Sequence, residues 1–321
     1  HWNAPNAPCM TPRRRAPAAS WLRFDLHMTA AWSARLPARH AWLALAVVAV
    51  WGTNFVVIKL ALAALPPLFL ALLRFTLALL PAVLFLPRPA VPWRLLATYG
   101  VLIGAGQFGL LYLAIDGRIA PGLASLVVQT QVFFTITLAM AADGERMRAY
   151  QWPALALATA GIAVIAAHTD GDTTVPGLLL VLMAALAWAG GNQVARRMGR
   201  VDMLAMVVWS SAFALPPLLA LSWWFEGPVR WAAGLSAATP GVWAAVVWQA
   251  LGNTLFGYAA WGWLLARHPA ATVAPMALLV PVFGMAASAW WLGEGLPAWK
   301  LGAAALVLVG LAVNLFAPRR A

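Results

Sequence analysis

Long apolar stretches, each closed by a short polar or Pro/Gly-rich break, follow one another along most of this chain. A helix that crosses a bilayer needs roughly 17–25 mainly apolar residues, and each stretch is close to that length. Hydrocarbon forces the backbone to satisfy its own hydrogen bonds, and no alternating strand pattern competes, so we expect helices. The predicted spans lie at about 41–62, 66–86, 93–115, 121–141, 152–167, 176–195, 203–224, 240–264, 270–292 and 298–317.

Composition points in the same direction. Hydrophobic residues make up 63% of the chain and charged residues 9%, whereas soluble domains carry about 25% charged residues. Because so few charges cannot cover a water-exposed surface, lipid must cover most of the protein surface. The pattern therefore predicts an all-α membrane protein with ten transmembrane helices, nine or eleven being the alternatives.

A weak internal repeat divides the chain into two halves. Residues 122–133 (GLASLVVQTQVF) reappear 150 positions later as 272–283 (TVAPMALLVPVF), and the Gly-Glu pair at 144–145 reappears 149 positions later at 293–294. Carriers are often built from two such halves, with the substrate site between them. The repeat therefore indicates transport.

The two halves should have opposite orientations in the membrane. Each contains five predicted spans, in 41–167 and 176–317, and an odd number of spans inverts the second copy. The first spans of the halves also correspond, since Trp51 aligns with Trp188 and Asn54 lies near Asn192. The predicted architecture is thus two inverted five-helix repeats.

The basic residues orient this arrangement. In the tails, loops and span ends, 16 Lys and Arg residues fall on one side and only Arg118, Arg230 and Lys300 on the other, which is a strong positive-inside bias. We therefore expect both termini in the cytoplasm and no nucleic-acid partner, despite the net charge of +12. Residues 1–40, rich in Pro, Ala and Arg, are predicted to form a disordered basic cytoplasmic tail rather than a cleaved signal peptide.

Several segments together resemble a known family. They are WGTNFVVIKL (51–60), RFTLALLPAVLFL (74–86), GLASLVVQTQVFFT (122–135), GER (144–146), WAGGNQ (188–193) and LLVPVFG (278–284). This combination is similar to the EamA branch of the drug/metabolite transporter superfamily, and within it to exporters of O-acetylserine and cysteine. The resemblance covers about 41–317 and implies a ten-helix carrier of the bacterial inner membrane that exports small amino-acid-like metabolites by alternating access.

Polar and indole side chains within the spans are the candidates for substrate binding, because they are unfavourable in lipid. They are Trp51, Asn54, Arg74, Gln107, Ser125, Gln129, Trp188, Asn192, Gln249, Asn253 and Trp261. Each amide could instead join two helices as structural glue, worth about 0.6–2 kcal/mol. In helix four, Ser125 and Gln129 are four residues apart, and Gln131 is expected to point away from them.

Charged residues raise two further questions. Arg74 is the only charge predicted well inside a span, and it could clamp a substrate carboxylate or extend to the outer interface. All nine acidic residues fall in loops or at helix ends, which leaves Glu145 and Glu294 as the candidates for proton coupling. Facilitated efflux without proton coupling is the alternative.

Rival functions find little support in the sequence. An intramembrane enzyme needs ligands or an acid–base pair at reachable depth, and the five His residues all fall in predicted tails or loops. The single Cys9 excludes a cysteine-based metal site. We therefore expect no catalytic residues, metal or cofactor, and a bilayer and a small molecule as partners, with a homodimer left open. Aromatic amino acids, drugs or other metabolites are the alternative substrates.

Overall fold

The computed structural model describes residues 36–143, 147–169 and 173–316, and within them the chain is helical with no strand. Most of the predicted tail, residues 1–35, lies outside this description. The helices are α1 (Ala38–Ala61), α2 (Pro67–Leu79), α3 (Trp93–Ile115), α4 (121–143), α5 (Gln151–Ala167), α6 (Val175–Met198), α7 (Met203–Phe225), α8 (Gly227–Ala237), α9 (240–267), α10 (270–292) and α11 (Ala298–Phe316).

Eight of the described helical segments are long and apolar enough to cross a membrane, with α2 counted together with the 3₁₀ turn Ala82–Leu84 that follows it. The other two predicted spans are also helical, as α5 and α9. However, α5 has only 17 residues, and α9 carries Gln249, Asn253 and Thr254, which make it less apolar. The chain is therefore a multi-pass helical membrane protein, and the count of ten spans stays a prediction.

One helix boundary and one additional helix differ from the prediction. Helix α2 ends at Leu79, because Leu80 adopts an extended conformation before Pro81, as residues preceding proline tend to do. Helix α8, Gly227–Ala237, was not expected. Its eleven residues lie between the predicted seventh and eighth spans, and only Gly234 among them is buried, so hydropathy alone did not reveal it.

Small residues bring helices from the two halves into close contact. Helix α5 packs along α11, where an added Cβ on Gly310 would lie 2.6 Å from the carbonyl oxygen of Ala154. Helix α1 packs along α10, where a Cβ on Gly52 would lie 2.5 Å from the carbonyl oxygen of Val280. Such close backbone approach is how membrane helices associate without a hydrophobic driving force.

A buried carboxylate joins the second helices of the two halves. Glu226 follows α7, is only 8% exposed, and accepts hydrogen bonds from the backbone N–H groups of Leu68 (2.7 Å) and Phe69 (2.9 Å). These groups belong to the first turn of α2, where N–H groups lack partners within the helix and negative charge is favoured. Ser222 also donates to this carboxylate (2.5 Å) and accepts from the Trp231 indole (2.8 Å).

We expect Glu226→Gln to lower the melting temperature in detergent, because an amide cannot accept from both backbone donors at full strength. A lost buried hydrogen bond of this kind destabilises by about 1–3 kcal/mol. Asp202→Asn is the matched control, since Asp202 caps α7 through Ala205 and Asn caps helices as well as Asp. Equal melting temperatures for the two variants would contradict the assignment.

Candidate functional site

A cavity of about 300 Å³ lies at the centre of the helix bundle. Residues from both halves line it, on α1, α3, α4, α6, α7, α9 and α10. The predicted site residues that line it are Trp51, Asn54, Gln107, Gln129, Trp188, Asn192, Asn253 and Trp261. Trp51 and Asn54 of α1 thus share one cavity with Trp188 and Asn192, the residues that correspond to them in α6.

Wide helical turns place two of these amides. Helix α3 is π-helical over Leu102–Gly109, and α9 is π-helical over Trp248–Phe256. Both segments contain a Gly followed by an amide residue, Gly106–Gln107 and Gly252–Asn253, and both amides line the cavity. A π-turn shifts the register of side chains and is frequent at functional sites. Helices α3 and α9, the third and eighth predicted spans, therefore each place an amide on the cavity wall through a π-helical segment.

An aromatic wall forms where α1 meets α9. The indole nitrogen of Trp51 donates to the backbone carbonyl of Asn253 (3.1 Å). The Trp51 ring lies 5.2 Å from that of Trp261 and 5.7 Å from that of Tyr258, measured between centroids. A Cβ added to Gly257 would overlap the Trp51 indole nitrogen. Gly257 therefore makes room for this indole on the cavity wall.

The side chains of α4 do not all point in the directions expected of a uniform helix. Gln131 was expected to point away from Gln129, yet both line the cavity, because a 3₁₀ turn over Val128–Thr130 interrupts the α-helical register between them. Asn192 of α6 donates to the side-chain oxygen of Gln131 (2.8 Å). Gln131 is thus a cavity residue that the assumption of a uniform helix missed.

Ser125 does not line the cavity. Its hydroxyl donates to the carbonyl of Gly122 (2.6 Å), one turn earlier in α4. A Cβ on Gly284 would overlap this hydroxyl. The structure therefore places Ser125 at the packed contact between α4 and α10.

Arg74 is fully buried, with 0% of its surface exposed, and it does not extend to the outer interface. Its guanidinium donates to the Tyr112 hydroxyl (2.9 Å), to Asn253 Oδ1 (2.8 Å) and to Thr254 Oγ1 (3.0 Å from Nη2, 3.3 Å from Nε). Its Cζ also lies 3.7 Å from the centroid of the Phe108 ring. Arg74 thus stands behind the cavity wall rather than on it.

Gln249 belongs to the same network. It is fully buried and its side-chain oxygen accepts a short hydrogen bond from the Tyr112 hydroxyl. Phe108, Thr254 and Tyr258 were not among the predicted site residues. The only signal for Thr254 and Tyr258 was their proximity in sequence to Asn253, and a uniform helix of 3.6 residues per turn would place neither of them on the face of Asn253.

Two amides on the cavity wall have capacity for further hydrogen bonds. Asn54 is 3% exposed and Gln107 5% exposed, and neither side-chain oxygen bonds to another group within the described residues. Buried polar groups in proteins usually have partners. These two residues therefore favour a polar ligand over a purely structural role.

Glu294 lies apart from the cavity, after α10. Its carboxylate forms an ion pair with Lys300 (3.0 Å), accepts from the backbone N–H of Gly122 (3.1 Å), and accepts a short hydrogen bond from Ser288. It therefore caps the start of α4, much as Glu226 caps α2. Glu145, the other predicted proton site, lies outside the described residues. No cluster of three or more metal-binding side chains occurs in the described part of the chain.

Comparison with known proteins places this bundle in a family. The model of the EamA-like transporter family matches residues 39–167 and 175–316. The chain belongs to the EamA-like transporter family. The EamA-like match therefore extends over both sides of the cavity.

Named relatives share much of this length. A protein of Salmonella typhimurium named "Probable amino-acid metabolite efflux pump" is 41% identical over 87% of this chain and 95% of its own. Its namesake in Escherichia coli is 39% identical over 86% and 95%. A "Probable terminal-alkyne amino-acid exporter" of Streptantibioticus cattleyicolor is 27% identical over 84% and 91%. One solved crystal structure, 21% identical, has the same fold, with a TM-score of 0.60 over 88% of this chain and 99% of that one.

We expect Gly257→Ala to displace the Trp51 indole, because the added methyl group would overlap its nitrogen. The variant should show an altered tryptophan emission spectrum and a lower melting temperature. Gly302→Ala in α11 is the matched control, since nothing lies within 4 Å of its added Cβ and both changes gain similar helix propensity. Identical spectra and melting temperatures for both variants would contradict this packing of Trp51 against Gly257.

Proposed function

We propose that this protein is a secondary transporter that exports small amino-acid-like metabolites across the bacterial inner membrane, and that the central cavity holds the cargo. The observation that carries the proposal is the cavity itself, lined by amides and indoles from both halves. Its volume lies near the lower end of the range of about 300–1,000 Å³ for ligand pockets. It therefore suits one small molecule. The names of the relatives also support amino-acid metabolites as cargo.

Alternating access would follow from an inverted repeat. Two kinds of correspondence support that repeat: the π-turns of α3 and α9, and the carboxylate caps that link α7 to α2 and α10 to α4. On the proposed orientation, with both termini in the cytoplasm, both caps lie on the outer side. The cavity reaches Met203 and Met206 at the cytoplasmic start of α7. We infer that this conformation is closed to the outside.

Cysteine and O-acetylserine are the proposed substrates, on the family resemblance and the size of the cavity. Aromatic amino acids are the second candidate. The observation that favours them is the aromatic wall of Trp51, Trp188 and Trp261, since indole faces stack well on aromatic rings. The proposed classification as a transporter, not an enzyme, is consistent with the family.

For coupling, Glu294 and Glu145 stay the proposed proton sites, with facilitated efflux as the alternative. The contacts of Glu294 suggest how it would act. Its carboxylate joins the end of α10 to the start of α4, and protonation would weaken its attraction to Lys300. Loss of this contact would help the outer side to open.

In sealed liposomes we expect the purified protein to move cysteine or O-acetylserine down a concentration gradient. Asn192→Ala should reduce this flux about tenfold, because it removes an amide from the cavity wall and frees Gln131. Asn314→Ala is the matched control: Asn314 pairs with Gln151 between α11 and α5 (3.4 Å), away from the cavity. An equal loss of flux in both variants would indicate that Asn192, like Asn314, only joins two helices.

The cargo panel separates the two candidate substrates. If neither cysteine nor O-acetylserine moves while aromatic amino acids do, the proposed cargo is wrong and the carrier function stands. If no solute of either class moves faster than through protein-free liposomes, the transport proposal fails.

The inverted orientation predicts that corresponding loops lie on opposite sides. In a Cys9→Ser background, we expect Ala90→Cys, between α2 and α3, to react with a membrane-impermeant thiol reagent only from the cytoplasmic side. Ala237→Cys, between α7 and α9, should react only from outside. Both alanines are exposed. Labelling of both positions from the same side would exclude inverted repeats.

A further inference from the structure

The charge of Arg74 has no anionic partner in the described part of the protein. Its partners there are all neutral: a phenol, an amide, a hydroxyl and two aromatic rings. The carboxylates of Glu226, Asp202 and Glu294 instead accept hydrogen bonds at helix N-termini. A fully buried cation among neutral groups is unfavourable in a low-dielectric interior. Such residues in membrane spans usually serve a function.

One layer of side chains separates this charge from the cavity. Asn253 and Phe108, which contact the guanidinium directly, both line the cavity. Salt screens buried charges much less than exposed ones. The positive field of Arg74 therefore reaches any group that lies against these two residues.

Direct clamping of a carboxylate is not the arrangement observed. Nε and Nη2 both donate to Thr254, and Nη2 also donates to Asn253, so the protein already occupies the edge with which arginine binds carboxylates bidentately. The effect of Arg74 on cargo must therefore pass through its neighbours.

Asn253 is the neighbour through which Arg74 can act on the cargo. Guanidinium groups only donate, so the amide of Asn253 must turn its oxygen toward Arg74. The amide nitrogen then lies on the other branch of a side chain that lines the cavity. A donor NH₂ group combined with a positive field is suited to an anionic oxygen.

We propose that Arg74 is a positioning residue that makes the wall at Asn253 and Phe108 a carboxylate subsite. The cargo class that follows is small molecules with a free carboxylate, either zwitterions or anions, while cations that lack a carboxylate are disfavoured. This inference rests on the proposed function, because it assumes that the cavity holds the cargo. It restricts the candidate substrates to molecules with a carboxylate and excludes cationic drugs.

The test compares cysteine, N-acetylcysteine and cysteine methyl ester, which differ in charge at similar size. Binding to the detergent-solubilised protein is followed by tryptophan fluorescence, since three tryptophans line the cavity. We expect both carboxylates to bind at least about tenfold more tightly than the ester. Arg74→Lys should keep this ratio, and Arg74→Gln should reduce it to within about twofold.

Lys59→Gln is the control for loss of a cation from a spanning helix. Lys59 donates to the carbonyl of Ile115 (3.3 Å) and does not line the cavity, so the ratio should not change. Asn253→Asp keeps the test decisive if Arg74→Gln does not fold. The new carboxylate would pair with Arg74, cancel its field and favour the ester.

Two results would overturn the subsite: equal binding of ester and carboxylates to the unchanged protein, or a ratio that persists in both Arg74→Gln and Asn253→Asp. Flux in liposomes, measured on the same panel, separates this proposal from the proposed function. Carboxylate-selective binding without flux would refute export and support the subsite. Flux without a preference for carboxylates would support export and refute the subsite.

Discussion

The central cavity depends on the hydrogen bonds that Arg74 makes behind its wall. They tie α2 to Tyr112 on α3 and to Asn253 and Thr254 on α9. In an apolar interior such bonds are not exchanged for water, so they fix the relative positions of these helices. The side-chain oxygens of Gln249, Asn253 and Thr254, the residues that make α9 less apolar than the other spans, thereby find partners within the protein.

The two halves contribute to this centre in matching ways without being identical. Helices α3 and α9 each use a π-turn to present an amide, and α1 and α6 each present an indole and an amide. Helices α4 and α10 differ. The amides of α4, Gln129 and Gln131, line the cavity, whereas α10 contributes only the apolar Ala277 and Val280. The polar chemistry of the cavity is therefore unevenly divided between the corresponding helices.

Periodicity and composition predicted the helical membrane fold and most of the cavity wall, because the amides and indoles of Trp51, Asn54, Trp188 and Asn192 are unusual in lipid. The errors arose where the helix geometry changes. Gln131 was assigned to the wrong face because a 3₁₀ turn precedes it. For Ser125, whose role in substrate binding stays a prediction, polarity alone did not show that its hydroxyl bonds within its own helix. The exposed helix α8 is too short and too polar to be indicated by an apolar stretch of membrane-spanning length.

The length of α5 has a consequence for the lipid around it. Seventeen residues at about 1.5 Å each span about 26 Å, which is shorter than the hydrocarbon layer of about 30 Å in an average bilayer. Its close packing on α11 at Gly161 and Gly310 holds it in a fixed orientation. On the proposed ten-span topology the surrounding acyl chains would adapt instead, so this edge of the protein would thin the membrane locally and favour bilayers built from shorter lipids.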